Sequence, residues 1–347
     1  MESFLPSYRD PLFSILLILC IVLVISILTY GWGIYKKQKE QEALHRFLDR
    51  FDSSECSLDT DGMPYQEYML KPLTLLAKAF DTSGEYQKSI NIYIYLIKHI
   101  DDRDMKDKLL RMLGNTYLHA GFLQRAESIY LEILERKPRT IQVLYELGVV
   151  YEMMHSYQKA LETITPLNLL GEDTELLLKH LKLLSIINNH QLETKEKIEL
   201  LVDLITQDST LYRESIKALF ALDTYRAWQL VDMDRLEEIL DILWFLPNSQ
   251  LDLDIISSDM RLSSIYYAKG YTPKVSTKSG IFVVDVLCRA KESGCDDATL
   301  TFSYLCSNCK HSFPISFSRC PNCMAINSIK VEEQIGKATT KRDYSIF

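Results

Sequence analysis

The stretch Arg111–Pro138, RMLGNTYLHAGFLQRAESIYLEILERKP, decides the fold when read beside Tyr145–Leu167, YELGVVYEMMHSYQKALETITPL. Leu113, Gly114, Tyr117 and Ala126 recur as Leu147, Gly148, Tyr151 and Ala160, each displaced by 34 residues. A fixed period of this size marks stacked helical hairpins, because one hairpin cannot bury its apolar face without neighbours. The residue types carry the geometry. Gly114 and Ala126 are small where the two helices of a hairpin approach, and Tyr117 and Tyr130 fill the space between neighbouring hairpins. Gly121 stands in the turn, where a left-handed backbone is needed, and Pro138 closes the second helix.

The Leu-Gly, Tyr, small-residue and closing-Pro pattern resembles the tetratricopeptide repeat. A fainter copy precedes it: Ala77, Phe80, Gly84, Ser89 and Tyr93 occupy equivalent positions after a short slip near residues 104–106. Repeats are therefore expected over 70–173. From 174 to 271 the leucine periodicity continues without the signature, which predicts amphipathic helices of degenerate repeats. A connecting segment follows over 272–300, broken by Gly280 and Gly294; Phe282–Glu292 within it reads equally as helix or strand.

At the other end, the 25 residues Pro11–Tyr35 carry no charge. As a helix they reach roughly 37 Å, enough to cross a hydrocarbon core of about 30 Å. No small-x-small cleavage site follows, and positive charge comes after the run rather than before it, so the run reads as an anchor and not a signal peptide. Lys36, Lys37, Lys39 and Arg46 on its far side predict a cytoplasmic body, with residues 1–10 periplasmic and a juxtamembrane helix and linker over 36–69. The net charge of −8 gives no electrostatic reason to bind nucleic acid.

In a reducing compartment, CSNCKHSFPISFSRCPNC (Cys306–Cys323) reads as two metal knuckles rather than disulfides. Each Cys-x-x-Cys turn offers two thiolates, and two turns complete a tetrahedral site of Cys306, Cys309, Cys320 and Cys323 for one metal ion, iron or zinc. The module is expected over 301–332, with His311–Phe317 forming one arm of a hairpin and a tail over 333–347. Cys20, Cys56, Cys288 and Cys295 lack such spacing and read as ordinary thiols. No phosphate-binding glycine loop, His-Glu-x-x-His or Gly-x-Ser-x-Gly occurs, and the seven histidines are scattered, so no catalytic constellation emerges. A repeat groove would present Lys108, Arg111, Asn115, His119, Gln142, Tyr145 and Glu152 to a protein partner. The expected fold class is all-α: a transmembrane helix, a tetratricopeptide-like solenoid and a small rubredoxin-like or zinc-ribbon module.

Anchor, repeats and terminal ribbon, in that order, resemble the lipopolysaccharide assembly protein B family. The likeness is carried by LGNTYLHAGFLQRAESIY, by SYQKALETI, and by YLCSNCKHSFPISFSRCPNC with its following Ser-Ile-Lys at 328–330. The resemblance implies a rubredoxin-like module whose ligands fall on the four cysteines named above. It also implies an adaptor on the cytoplasmic face of a bacterial inner membrane that regulates lipopolysaccharide synthesis, in part by presenting the deacetylase LpxC to the membrane protease FtsH. Two other readings stay open: an iron electron-transfer module anchored at a membrane, and a general assembly factor for a membrane complex. Against electron transfer, Lys310 and Met324 stand where the knuckles of iron proteins carry glycine.

Overall fold

The computed structural model describes residues 65–273 and 279–337, together with Leu23. Apart from Leu23, the expected anchor and the segments before and after it, as far as residue 64, lie outside the described residues, as do Cys20, Cys56 and the tail beyond 337. Among the described residues no helix is long and apolar enough to cross a membrane. The chain divides into two compact units, one ending at Ala120 and one beginning at Gly121.

In the first unit α1 (Leu70–Thr82), α2 (Tyr86–His99) and α3 (Arg103–His119) pack in chain order. Their apolar residues recur every three or four positions, so Ile90, Tyr93 and Leu96 of α2 and Leu109, Leu113 and Tyr117 of α3 are buried. The Asp102 carboxylate caps α3 by accepting from the Met105 N–H at 3.2 Å. Between α1 and α2, Gly84 is left-handed at φ 79°, and the Glu85 N–H returns to the Phe80 carbonyl at 2.8 Å. This is the glycine-terminated helix stop expected from the repeat pattern.

The second unit continues with α4 (Leu123–Arg136), α5 (Ile141–Met153), α6 (Tyr157–Glu162) and α7 (Ile164–Leu169). One long second helix would require Pro166 to donate to Glu162, and proline has no N–H, so the helix divides at Thr163. The turn after α5 repeats the earlier stop with a histidine in place of glycine. His155 has φ 55°, and the Ser156 N–H bonds the Tyr151 carbonyl at 2.8 Å. His155 lies 34 residues after Gly121, itself left-handed at φ 80°, so the period is preserved in the backbone where the residue type has changed.

Next come α8 (Glu175–Asn188), α9 (Thr194–Gln207) and α10 (Tyr212–Leu222). They are followed by the shorter α11 (Thr224–Gln229), α12 (Leu240–Phe245), α13 (Leu253–Ser258) and α14 (Met260–Lys269), then α15 (Phe282–Glu292). Asp223, Asp252 and Asp259 cap α11, α13 and α14, which is how such short helices begin without long apolar flanks. The ambiguous Phe282–Glu292 is thus a helix, and it buries Val284 and Leu287.

Three strands correct the all-α expectation. β1 (Ala298–Cys306) is central, flanked antiparallel by β2 (Ser312–Phe313) and β3 (Ile329–Lys337) in the order β2-β1-β3. The register runs from Ala298 opposite Lys337 to Cys306 opposite Ile329. The sheet therefore starts inside the expected connecting segment and ends inside the expected tail. Leu300, Tyr304 and Cys306 alternate inward along β1, a period of two that the leucine-rich helices upstream do not share. Of the expected arm 311–317, only Ser312 and Phe313 pair, because Pro314 has no N–H to extend the ladder. Leu300 joins Leu219, Phe220, Trp228, Leu243, Tyr266 and Leu287 in one apolar cluster, so sheet and helices share a core.

Two helices approach closely in the repeat that contains Gly148. A Cβ on Gly148 would stand 2.8 Å from Thr163 Oγ1, itself held by the Ala160 carbonyl at 2.7 Å. Overpacking costs about 1–3 kcal/mol and the gain in helix propensity returns about 1 kcal/mol. Gly148→Ala should therefore lower the urea midpoint, and Thr163→Ala in the same chain should restore most of the loss. A loss in Gly148→Ala that Thr163→Ala fails to restore would refute the close approach.

Candidate metal centre

The four cysteines come from two turns with the same backbone, offset by 14 residues. In the first, the Lys310 N–H bonds the Cys306 carbonyl at 2.9 Å and the Cys306 N–H bonds the His311 carbonyl at 2.9 Å. In the second, the Met324 N–H bonds the Cys320 carbonyl at 2.9 Å and the Cys320 N–H bonds the Ala325 carbonyl at 2.8 Å. Leu305 pairs with Ser312, and Arg319 pairs with Ile326 at the same offset. Lys310 and Met324 are both left-handed, at φ 60° and 58°, so the positions where glycine would be expected keep the glycine conformation without the glycine.

These turns bring the four sulfurs within 4.8 Å of one another, with Cys306–Cys323 at 3.7 Å and Cys309–Cys320 at 3.6 Å. A tetrahedron with metal–sulfur bonds of about 2.3 Å has edges of about 3.8 Å, whereas a disulfide needs about 2.05 Å. The geometry fits a metal ion and no disulfide. Backbone N–H groups of Asn308 and Cys309 point at the Cys306 sulfur, and those of Asn322 and Cys323 point at Cys320. Burial pushes the Cys320 thiol up to about 12, whereas the Asn322 side chain and the His311 N–H draw Cys309 down to about 5. Cys306 and Cys320 are buried and Cys309 and Cys323 half-buried, so the site is enclosed on one side. His311 is exposed and turned to the Cys309 carbonyl and Asn322, outside the sulfur cluster.

The ribbon is fastened to the helices by buried charge. Arg319, 8 % exposed, donates to both oxygens of Glu152 at 2.9 and 2.5 Å, to the Tyr145 hydroxyl at 3.3 Å, and to the Met324 carbonyl at 2.6 Å. His180 Nε2 lies 3.1 Å from the first Glu152 oxygen. Burial raises the Glu152 carboxyl, but the hydrogen bonds from His180 and Arg319, with their charges, outweigh it and hold the group at about 2. A second tether runs the other way. Arg213 of α10 grips Asp241 of α12 through two bonds of 2.7 Å and donates to Ser316 Oγ at 3.2 Å, while the Tyr304 hydroxyl of β1 donates to Asp241 at 2.9 Å.

Two groove residues expected to meet a partner are therefore occupied internally: Tyr145 and Glu152 face Arg319 of the chain's own ribbon. Gln142 is exposed on α5. On α3 of the first unit, Lys108 and His119 are exposed, Arg111 and Asn115 are half-buried, and His119 Nδ1 stands 3.0 Å from Asp81. The sequence reading missed Arg319, His180, Arg213 and Asp241. The one available signal was Glu152 itself, a carboxylate inside the apolar run LGVVYEM.

Fold and site together define a mostly helical protein with a small C-terminal four-cysteine cluster able to hold a metal ion. No protein-family model matches the chain, and no curated protein matches its sequence.

Two predictions follow from this geometry. The Glu152 carboxyl lies below its ordinary 4.5, so its contribution is complete above pH 4.5 and is lost as pH falls toward 2. In metal-free protein, urea unfolding of wild type should exceed that of Glu152→Gln by up to about 3 kcal/mol at pH 6, and the gap should close by pH 2. A gap independent of pH would show that the ion pair contributes nothing. At the first knuckle, Lys310 is exposed, so Lys310→Gly relieves the backbone without losing packing and should raise stability by about 0.5–1 kcal/mol. Lys310→Val should lower it, and slower metal release to a chelator from the glycine variant than from the valine variant would be the readout.

Proposed function

We propose that the protein is a non-enzymatic adaptor, anchored to a bacterial inner membrane with its body in the cytoplasm, that regulates lipopolysaccharide synthesis or assembly. The observation that carries the reading is the fastening of the four-cysteine module to the helices through Arg319 and Glu152. A module locked in this way braces a scaffold, which suits an adaptor better than a freely docking electron carrier. The apolar run at 11–35 supports a membrane address, which raises the local concentration of the helical surface near membrane machinery. The resemblance to the lipopolysaccharide assembly protein B family supplies candidate partners, LpxC and FtsH. The cysteine site would hold one iron or zinc ion, and its role in this reading is structural: closing the two knuckles that aim Arg319.

The test is crosslinking in intact membranes of the native host, from photoreactive residues placed at Lys108 and Gln142, followed by mass spectrometry. The reading expects a lipopolysaccharide enzyme, an export component or a membrane protease among the captured proteins. Capture of an electron-transfer partner, with a reversible iron couple in the purified protein, would replace the adaptor reading by the redox one. Capture of membrane-complex subunits unrelated to envelope lipid would favour the general assembly factor.

A further inference from the structure

A cleft of about 350 Å³ lies between α8, α10 and the ribbon loop 316–318. That volume is within the range of small-molecule sites. Leu184 and Ile187 of α8, Ala218 of α10 and Phe317 of the loop give it apolar walls. Two charges interrupt them. Glu214 and Lys217 stand three residues apart on α10 and therefore share a face. Glu214 Oε2 is buried with no hydrogen-bond partner among the described residues, and Lys217 is half-buried beside it. The other polar side chains at the cleft's inner end are already engaged: Arg213 by Asp241 at 2.7 Å and His180 by Glu152 at 3.1 Å.

A buried carboxylate oxygen left without a donor is costly, and folded proteins rarely keep one without a use. Burial pushes the Glu214 carboxyl up and the Lys217 ammonium down, while the attraction between them draws each back toward its charged form. An apolar ligand would answer neither group. A simple amine would answer only Glu214, and a simple carboxylate only Lys217. We infer that the cleft binds a free α-amino acid with an apolar side chain, its ammonium on Glu214, its carboxylate on Lys217 and its side chain among Leu184, Ile187, Ala218 and Phe317. The occupant would touch helix and ribbon together, because Phe317 belongs to the loop that leads into the second knuckle. Amino-acid level would thereby bear on how firmly the ribbon is seated. This inference stands apart from the adaptor reading, since it concerns a ligand and not a protein partner.

The experiment is equilibrium dialysis of radiolabelled L-leucine and L-phenylalanine against full-length, metal-loaded protein in detergent micelles. Saturable binding is expected for at least one of them. N-acetyl-L-leucine and L-leucinamide, each missing one charge, should compete about tenfold less well than L-leucine. Glu214→Gln and Lys217→Met should each weaken binding by about tenfold, and Ala218→Met, which fills the cleft without touching either charge, should abolish it. Each variant is accepted only if it unfolds cooperatively and retains its metal. No saturable binding of either amino acid to wild type overturns the inference. Binding that survives Glu214→Gln and Lys217→Met, or that the uncharged analogues match, overturns it as well.

Discussion

The contact between Arg319 and Glu152 is the constraint on which the arrangement of the second unit depends. Taking a guanidinium and a carboxylate out of water is expensive, and their attraction repays the cost only when the remaining donors and acceptors are satisfied. Here they are. Glu152 accepts from Arg319 on both oxygens and has His180 beside one of them, while Arg319 spends its other donors on the Tyr145 hydroxyl and the Met324 carbonyl. A shift of the ribbon by one residue along α5 would break most of these bonds at once and leave two buried charges unpaired. Apolar contacts alone tolerate sliding; a bidentate pair does not.

The Met324 carbonyl connects this pair to the metal site. Arg319 immediately precedes Cys320, and Met324 immediately follows Cys323, so the guanidinium spans the mouth of the second knuckle. The knuckle's shape and the direction of Arg319 are one problem, solved together. The Arg213–Asp241 pair repeats the device with the cation on the helical side, reaching Ser316 and meeting Tyr304 across Asp241. One arginine reaches from ribbon to helices and the other from helices to ribbon. The apolar cluster containing Leu300 supplies the burial, and these two networks supply the register.

Much of this was legible in the residues and some was not, for identifiable reasons. The 34-residue period located the helical hairpins, since small residues at helix crossings and glycine in the turns are local demands that each repeat must meet. The four-cysteine cluster was legible because Cys-x-x-Cys spacing is a property of one turn. The sheet extended past the expected module at both ends because β1 and β3 define each other: Ala298 and Lys337 have no strand signal apart from their mutual pairing. The helices α8 to α14 fall within the 174–271 expected to be helical, but the shortening of α11 to α14 depends on aspartate caps that a leucine count does not register. The ion pairs were invisible for a simpler reason. Glu152 and Arg319 are 167 residues apart, and no local pattern records a contact that only the folded chain creates.

The left-handed positions make the same point from the opposite side. Gly84 and Gly121 announce their conformation by residue type, yet His155, Lys310 and Met324 adopt it as well. A non-glycine residue held there costs roughly 1–2 kcal/mol and persists only where the surroundings leave no alternative. At His155 the surroundings are the helix stop itself, set by the Ser156 bond to Tyr151. At Lys310 and Met324 they are the knuckle bonds to Cys306 and Cys320, and at Met324 also the grip of Arg319. Strain in the second knuckle is thus opposed by the same guanidinium that seats the ribbon on α5. The cysteine cluster and the helical body are therefore parts of a single structure, joined by Arg319, by the Arg213–Asp241 pair and by the shared apolar core.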